Sequence, residues 1–145
     1  MTMKTDQTHV FAPDEVDTIV SPWVVAKTMA SPELSGSEHM SAVSLYFAPG
    51  EGHARHNHPD SEQLIFVISG QGEMMIEDET GKPVLTPLQA GSTVTIPRGA
   101  FHSTFNTGCD PIRILAIYSP PGPELHMRHS DEFKILPAGD LPKVS

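Results

Sequence analysis

One cysteine in 145 residues, Cys109, rules out an internal disulfide, so the chain must be held together by a packed core. A single thiol also fits a reducing compartment. Cationic side chains are scarce: nine Lys and Arg stand against 18 Asp and Glu, for a formal charge of -9. A surface of that sign repels polyanions, which argues against nucleic acid and anionic membranes as partners. Long apolar runs are missing too. The longest are Leu64–Ile68 and Ile114–Tyr118, far short of the about 20 residues a bilayer-spanning helix needs. Residues 1–11 hold no apolar stretch of signal-peptide length, and the expectation is a cytoplasmic protein.

Well-capped amphipathic helices are also hard to find. Apolar residues instead alternate, as in Val43, Leu45, Phe47 and again in Val94, Ile96. Period two marks half-buried strands. The pattern predicts strands near 24–28, 40–47, 53–58, 63–69, 72–77, 84–85, 93–96, 101–106 and 112–118. Gly and Pro punctuate them at Ala48-Pro49-Gly50, Ser69-Gly70-Gln71-Gly72, Asp78-Glu79-Thr80-Gly81 and Pro97-Arg98-Gly99. Many short strands with such turns make the expected class all-β, a sandwich or barrel. At this length one domain, residues 1–145, is expected. Its barrel covers about 20–119, with an N-terminal arm 1–19 and a Pro-rich tail 120–145 of few apolar anchors.

Eight histidines are present, and His53, His56 and His58 fall close together. In a strand, residues i and i+2 share a face, so His56-Asn57-His58 aims two imidazoles at one point, a natural pair of metal ligands. A second segment runs Gly91, Pro97, Gly99, His102, Asn106: a strand, a proline turn, and a histidine opening the next strand.

These two segments resemble the motifs of the cupins. Gly50, His56, His58 and Gly70 match the first motif (residues 50–70), and Gly91, Pro97, Gly99, His102 and Asn106 match the second (residues 91–106) in full. The resemblance implies a double-stranded β-helix, or jelly-roll barrel. It also implies one divalent transition metal held by His56, His58, His102 and one residue from Glu62 or Gln63. Three neutral imidazoles and one oxygen donor suit Fe, Mn, Ni, Co, Cu or Zn and leave one or two positions open for a substrate or dioxygen.

The fourth ligand divides the reading. Three residues separate His58 from Glu62, but seven then separate Glu62 from Gly70, one more than the motif has. Six residues separate Gln63 from Gly70 and four separate it from His58, which the motif allows. Strand parity does not decide, because Glu62 shares a face with Leu64, Phe66 and Ile68, while Gln63 shares one with Ile65 and Val67. The register to Gly70 favours Gln63, with Glu62 as the alternative. A neutral amide would leave the full charge of the ion unneutralised and favour an anionic or enolate-forming substrate.

Met74, Arg55 and Phe101 are secondary candidates for the pocket wall. Arg55 and Arg98 flank the histidine segments, either as surface residues or to meet an anionic substrate. His53 is expected in a solvated loop, His126 and His129 in an exposed tail, Cys109 as a loop thiol, and Asn106 as a turn group. No catalytic acid or base stands out. The resemblance implies an enzyme acting on a small molecule at a mononuclear metal centre, dioxygenase-like, with an isomerase, lyase or decarboxylase, or a non-catalytic binding module, as alternatives. Apolar residues on both faces of the strands suggest a homodimer.

Overall fold

In the computed structural model, residues 9–142 are described; residues 1–8 of the expected arm and 143–145 of the tail lie outside them. Eleven strands form: β1 Thr18–Val20, β2 Val25–Ala30, β3 Ser41–Phe47, β4 Gly52–His56, β5 Glu62–Ser69, β6 Gln71–Glu77, β7 Pro83–Gln89, β8 Thr93–Ile96, β9 His102–Asn106, β10 Ile112–Ser119 and β11 Lys134–Leu136. Two short helices, α1 (Pro32–Ser35) and α2 (Glu124–His129), interrupt them. No helix among the described residues is long and apolar enough to cross a membrane.

The strands make two antiparallel sheets, a seven-stranded one in the order β11-β1-β2-β3-β10-β5-β8 and a four-stranded one in the order β4-β9-β6-β7. Alternation explains the packing. On β10, Ile112, Ile114, Ala116 and Tyr118 are buried, and on β3 Val43, Leu45 and Phe47 are. They meet Met74 of β6 and Leu88 of β7 in one apolar cluster between the sheets. This is the all-β jelly roll expected from the sequence.

On β5 the alternation is less plain in sequence than in space. Gln63, Ile65 and Val67 point into the barrel, at 4%, 3% and 0% exposure. Leu64, Phe66 and Ile68 face out, at 42%, 39% and 43%. Within one chain, β5 is covered on one face and not on both.

The ends of the chain also depart from the expectation. Strand β11 pairs with β1, with Ile135 opposite Ile19, so the arm and the tail add two strands to the large sheet. Arg128 of α2 donates two hydrogen bonds to the Asp17 carboxylate, at 2.7 and 2.9 Å. Three-residue strands and a helix of six residues are too short to show a period in sequence. The edge strand β7 runs over seven residues and carries Pro83 and Pro87, which an edge tolerates because one side of its ladder is free.

The motif glycines turn the chain where a side chain is strained. Gly70 has φ +93°, and a Cβ there would lie 2.7 Å from the Pro111 carbonyl oxygen. Gly50 has φ +81° with nothing near the same position. Gly70→Ala is therefore expected to cost about 2 kcal/mol or more, from backbone strain plus overlap. Gly50→Ala, with strain alone, should cost about 1 kcal/mol. Urea denaturation of both variants measures the difference; equal losses would contradict the close approach at Gly70.

Candidate metal centre

The histidines come together through register and one irregularity. His56 closes β4 directly opposite His102, which opens β9. The next registered pair is His53 with Thr104, so β4 spends one residue more than β9 between the two pairs. In a regular strand His53 and His56 would face opposite ways; the bulge turns both to one side. Their rings stack, with centroids 3.5 Å apart. His53 is thus no solvated loop residue, which corrects the reading from sequence.

His58 lies two residues past the end of β4, in a loop and not in the strand expected over 53–58. The second motif pins that loop. Gly99 N–H donates to the His58 carbonyl at 2.9 Å, and Asn57 Nδ2 donates to the Gly99 carbonyl at 3.2 Å. The Pro97-Arg98-Gly99 turn therefore fixes His58 as well as presenting His102. One nitrogen from each of His56, His58 and His102 falls within 4.8 Å of the others. Asn106, at the far end of β9, donates from Nδ2 to the Phe47 and Asp110 carbonyls, and holds the turn into β10.

Hydrogen bonding sets the tautomers. The Nδ1 atoms of His56 and His102 lie 2.7 and 2.8 Å from the carbonyls of Ala54 and Ala100. A carbonyl only accepts, so Nδ1 carries the proton and Nε2 carries the lone pair. The buried atoms His58 Nε2, His102 Nε2 and Gln63 Oε1 have no hydrogen-bond partner among the described residues. Each such orphan costs about 1–3 kcal/mol. The two orphaned imidazole nitrogens belong to histidines grouped within 4.8 Å, and Gln63 lies beside His58; all three atoms can present a lone pair and fit a divalent transition metal.

Electrostatics keep the rings neutral. Burial pushes His56 down to about 2, helped by His53 and His102 and opposed by the Ala54 carbonyl. Burial, then His102 and His58, lowers His53 to about 3. Burial, His102 and His126 lower His58 to about 4, against the nearby Gln63 amide. Burial also lowers His102.

Gln63 lies on the inner face of β5, and Glu62 on the exposed outer face. Among the described residues no Asp or Glu joins the three histidines. The secondary candidates fall elsewhere. Met74 is 2% exposed in the core, where its sulfur accepts from Thr104 Oγ1, because its register position opposite Thr104 sits one pleat deeper than His102. Arg55 is one of the outward residues of the bulge; it pairs with Glu77 and lies 3.8 Å over the Phe101 ring, outside the histidine cavity. Arg98 also lies outside that cavity.

The cavity beside the histidines has a volume of about 450 Å³. Its wall includes Trp23, Leu45, Tyr118 and Met127, which the sequence had not marked as pocket residues, and His126, which it had placed in an exposed tail. Trp23 stacks on His53 at 4.5 Å and meets Phe133 edge-on at 5.6 Å. Its indole N–H donates to Glu132 at 2.6 Å. A lone tryptophan next to Ser21-Pro22 was the one available signal. His126 sits on α2 at the mouth, so the expected exposed tail is a helix that helps to close the cavity, while His129 stays outside it.

Residues 43–118 match the family of the cupin domain. The germin-like protein 9-2 of Oryza sativa is 33% identical over 101 residues, 69% of this chain and 47% of its own length. Auxin-binding protein 1 of Arabidopsis thaliana is 31% identical over 104 residues, 69% and 52%. The glucose-6-phosphate isomerase of Thermococcus kodakarensis is 34% identical over 74 residues, 51% and 38%. The chain thus spans about half the length, or less, of these curated relatives. Among solved structures, a Lactobacillus farciminis oxalate decarboxylase in complex with formate superposes with TM-score 0.75 at 20% identity, over 81% of this chain and 35% of that one. KdgF from Halomonas sp. gives 0.60 at 22%, over 73% and 86%. At these identities the likeness is one of fold.

The depressed histidines predict how the metal-free protein responds to acid. An unfolded chain binds protons on these residues near their usual 6.5, whereas the folded chain resists until about pH 4 and below. Stability is therefore unaffected above pH 7 and falls as the pH drops from about 6.5 towards 4. The urea midpoint of the metal-free protein should be clearly lower at pH 5 than at pH 7. An unchanged midpoint would show that the rings are free to protonate in the folded state.

Proposed function

The chain belongs to the cupin domain family, and on that premise we propose that it is an enzyme acting on a small molecule at one divalent transition metal. The residues that would hold the ion are His56, His58, His102 and Gln63, and Fe, Mn, Ni, Co, Cu or Zn all suit that set. The observation that carries the reading is the convergence of unpartnered buried donors, His58 Nε2, His102 Nε2 and Gln63 Oε1.

A bound divalent metal supplies Lewis-acid polarisation of a chelating oxygen and, if redox-active, a path for electrons to dioxygen. The chain's own residues set what that chemistry acts on. All four ligands are neutral, so the protein leaves the charge of the ion for the substrate to balance, and a chelator that binds as an enolate or catecholate fits. Tyr118 lines the cavity edge-on to His58, 5.2 Å between ring centroids. Burial and the Glu124 charge push its pKa up, so it stays a phenol and offers a hydrogen bond rather than a base. Asp60, the one carboxylate of the lining, is exposed at the mouth. The lining holds no buried carboxylate, and its half-buried imidazole beyond the three grouped histidines, His53, is stacked between Trp23 and His56, which favours dioxygenase-like chemistry over proton shuttling.

A second reading, a metal-dependent isomerase or decarboxylase, is favoured by the relatives named glucose-6-phosphate isomerase and oxalate decarboxylase. A third is a binding module that holds its ligand without turnover. The protein is further read as a cytoplasmic homodimer: Cys109 is an exposed free thiol, and Leu64, Phe66 and Ile68 form an apolar stripe on the outer face of the large sheet. A monomer mass in sedimentation at all concentrations would refute the dimer.

Protein purified without a histidine tag and reconstituted should bind about one equivalent of transition metal by elemental analysis, and His102→Ala should lose it. Gln63→Ala should weaken retention about 10-fold or more, while Glu62→Ala should not. Loss of metal in Glu62→Ala alone would reverse the ligand assignment. Oxygen consumption with a panel of diketones, catechols and flavonols tests the reaction class; none across the panel by the metal-loaded protein would move the reading to isomerase or binding roles.

A further inference from the structure

The wall of the histidine cavity says more about the substrate than the ligands do. Among its lining residues there is no Lys or Arg. The arginines nearest in sequence are committed elsewhere: Arg55 to Glu77 and Phe101 outside the barrel, and Arg128 to Asp17 on the far side of α2. What charge there is has the wrong sign for an anion. Asp60 lies at the mouth, and the Glu124 carboxylate is 3% exposed near Tyr118, accepting from Ser41 Oγ at 2.6 Å and Gly122 N–H at 2.7 Å. A divalent ion held by neutral ligands balances the chelating group of a substrate, but a further anionic group placed away from the ion would enter unpaired, which is costly.

One side of the wall, Trp23, Leu45, Pro121, Pro123 and Met127, is apolar. Trp23 has its indole N–H already bound to Glu132 and its ring fixed between His53 and Phe133. It therefore offers a ligand carbon surface and no free donor. Leu45 and Met127 extend that surface, and Pro121 and Pro123 close it from the segment that follows β10. Preset aromatic area of this kind binds at little cost in conformational entropy.

Building on the metal-centre reading above, we propose that the substrate is a chelator with a planar, apolar body, bearing no phosphate and no anionic group beyond the chelating oxygens, and that Trp23 with the segment Pro121–Met127 is the wall that recognises this body. Sugar phosphates, whose phosphate would lie away from the ion, are excluded by the same wall.

Anaerobic calorimetric titration of the metal-loaded protein with 4-nitrocatechol, oxalate and glucose 6-phosphate tests this, with metal content measured on the same samples. 4-Nitrocatechol should bind at least about tenfold tighter than either of the others. Trp23→Ala should weaken 4-nitrocatechol about tenfold while metal content stays at the wild-type value. Should that variant not fold, His126→Arg, at an exposed position on α2, keeps the question open. By supplying the missing cation it should tighten glucose 6-phosphate about fivefold and leave 4-nitrocatechol within about twofold. Oxalate or glucose 6-phosphate binding as tightly as 4-nitrocatechol to the wild type would overturn the proposal, as would a folded Trp23→Ala, or His126→Arg, with unchanged affinities. Protein that takes up no metal would instead remove the metal-centre reading, and this proposal with it.

Discussion

Three buried atoms with lone pairs and no donors to meet them are the constraint around which the rest of this structure is arranged. His58 Nε2, His102 Nε2 and Gln63 Oε1 sit inside a β-barrel where water is sparse. Left alone, they destabilise the fold. Yet the surrounding backbone holds them there. The carbonyls of Ala54 and Ala100 take the Nδ1 protons of His56 and His102, so that the Nε2 lone pairs face the site. Gly99 fastens the loop that carries His58. The two sequence motifs are thus one mechanical unit: the second supplies one histidine of the group and also positions a histidine of the first.

Much of this was legible in the sequence. Nine of the eleven strands follow from alternation and Gly/Pro turns, and the two histidine motifs give the barrel and three of the site's residues. Glu62 against Gln63 stayed open because both faces of β5 are apolar, so parity carried no information about which face is inside. The interior was distinguishable only through the pairing of β5 with β10, which puts Gln63 beside Tyr118 and Ile65 beside Ala116. His53 was misplaced because a bulge reverses parity without a glycine to announce it. Trp23 and the C-terminal segment were missed for a different reason: their roles depend on contacts over a hundred residues apart, such as Trp23 with Glu132.

Those distant contacts give the site its character. The barrel alone would leave the histidines at an open mouth. Segment 120–136 folds back, adds β11 to the large sheet beside β1, ties α2 to Asp17, and sets Met127 and His126 over the cavity. The acidic balance of the chain extends to this pocket, where the protein supplies no cation. A metal would be its one positive charge, and the aromatic and apolar wall would be its means of discrimination. On the proposed reading, the site would select by what it withholds as much as by what it offers.

The most direct test of the central claim is anomalous diffraction at the zinc edge from crystals of the zinc-loaded protein. One strong peak is expected, about 2.0–2.2 Å from a nitrogen of each of His56, His58 and His102 and from Gln63 Oε1. A peak bound by Glu62, or no peak among the three histidines, would contradict it.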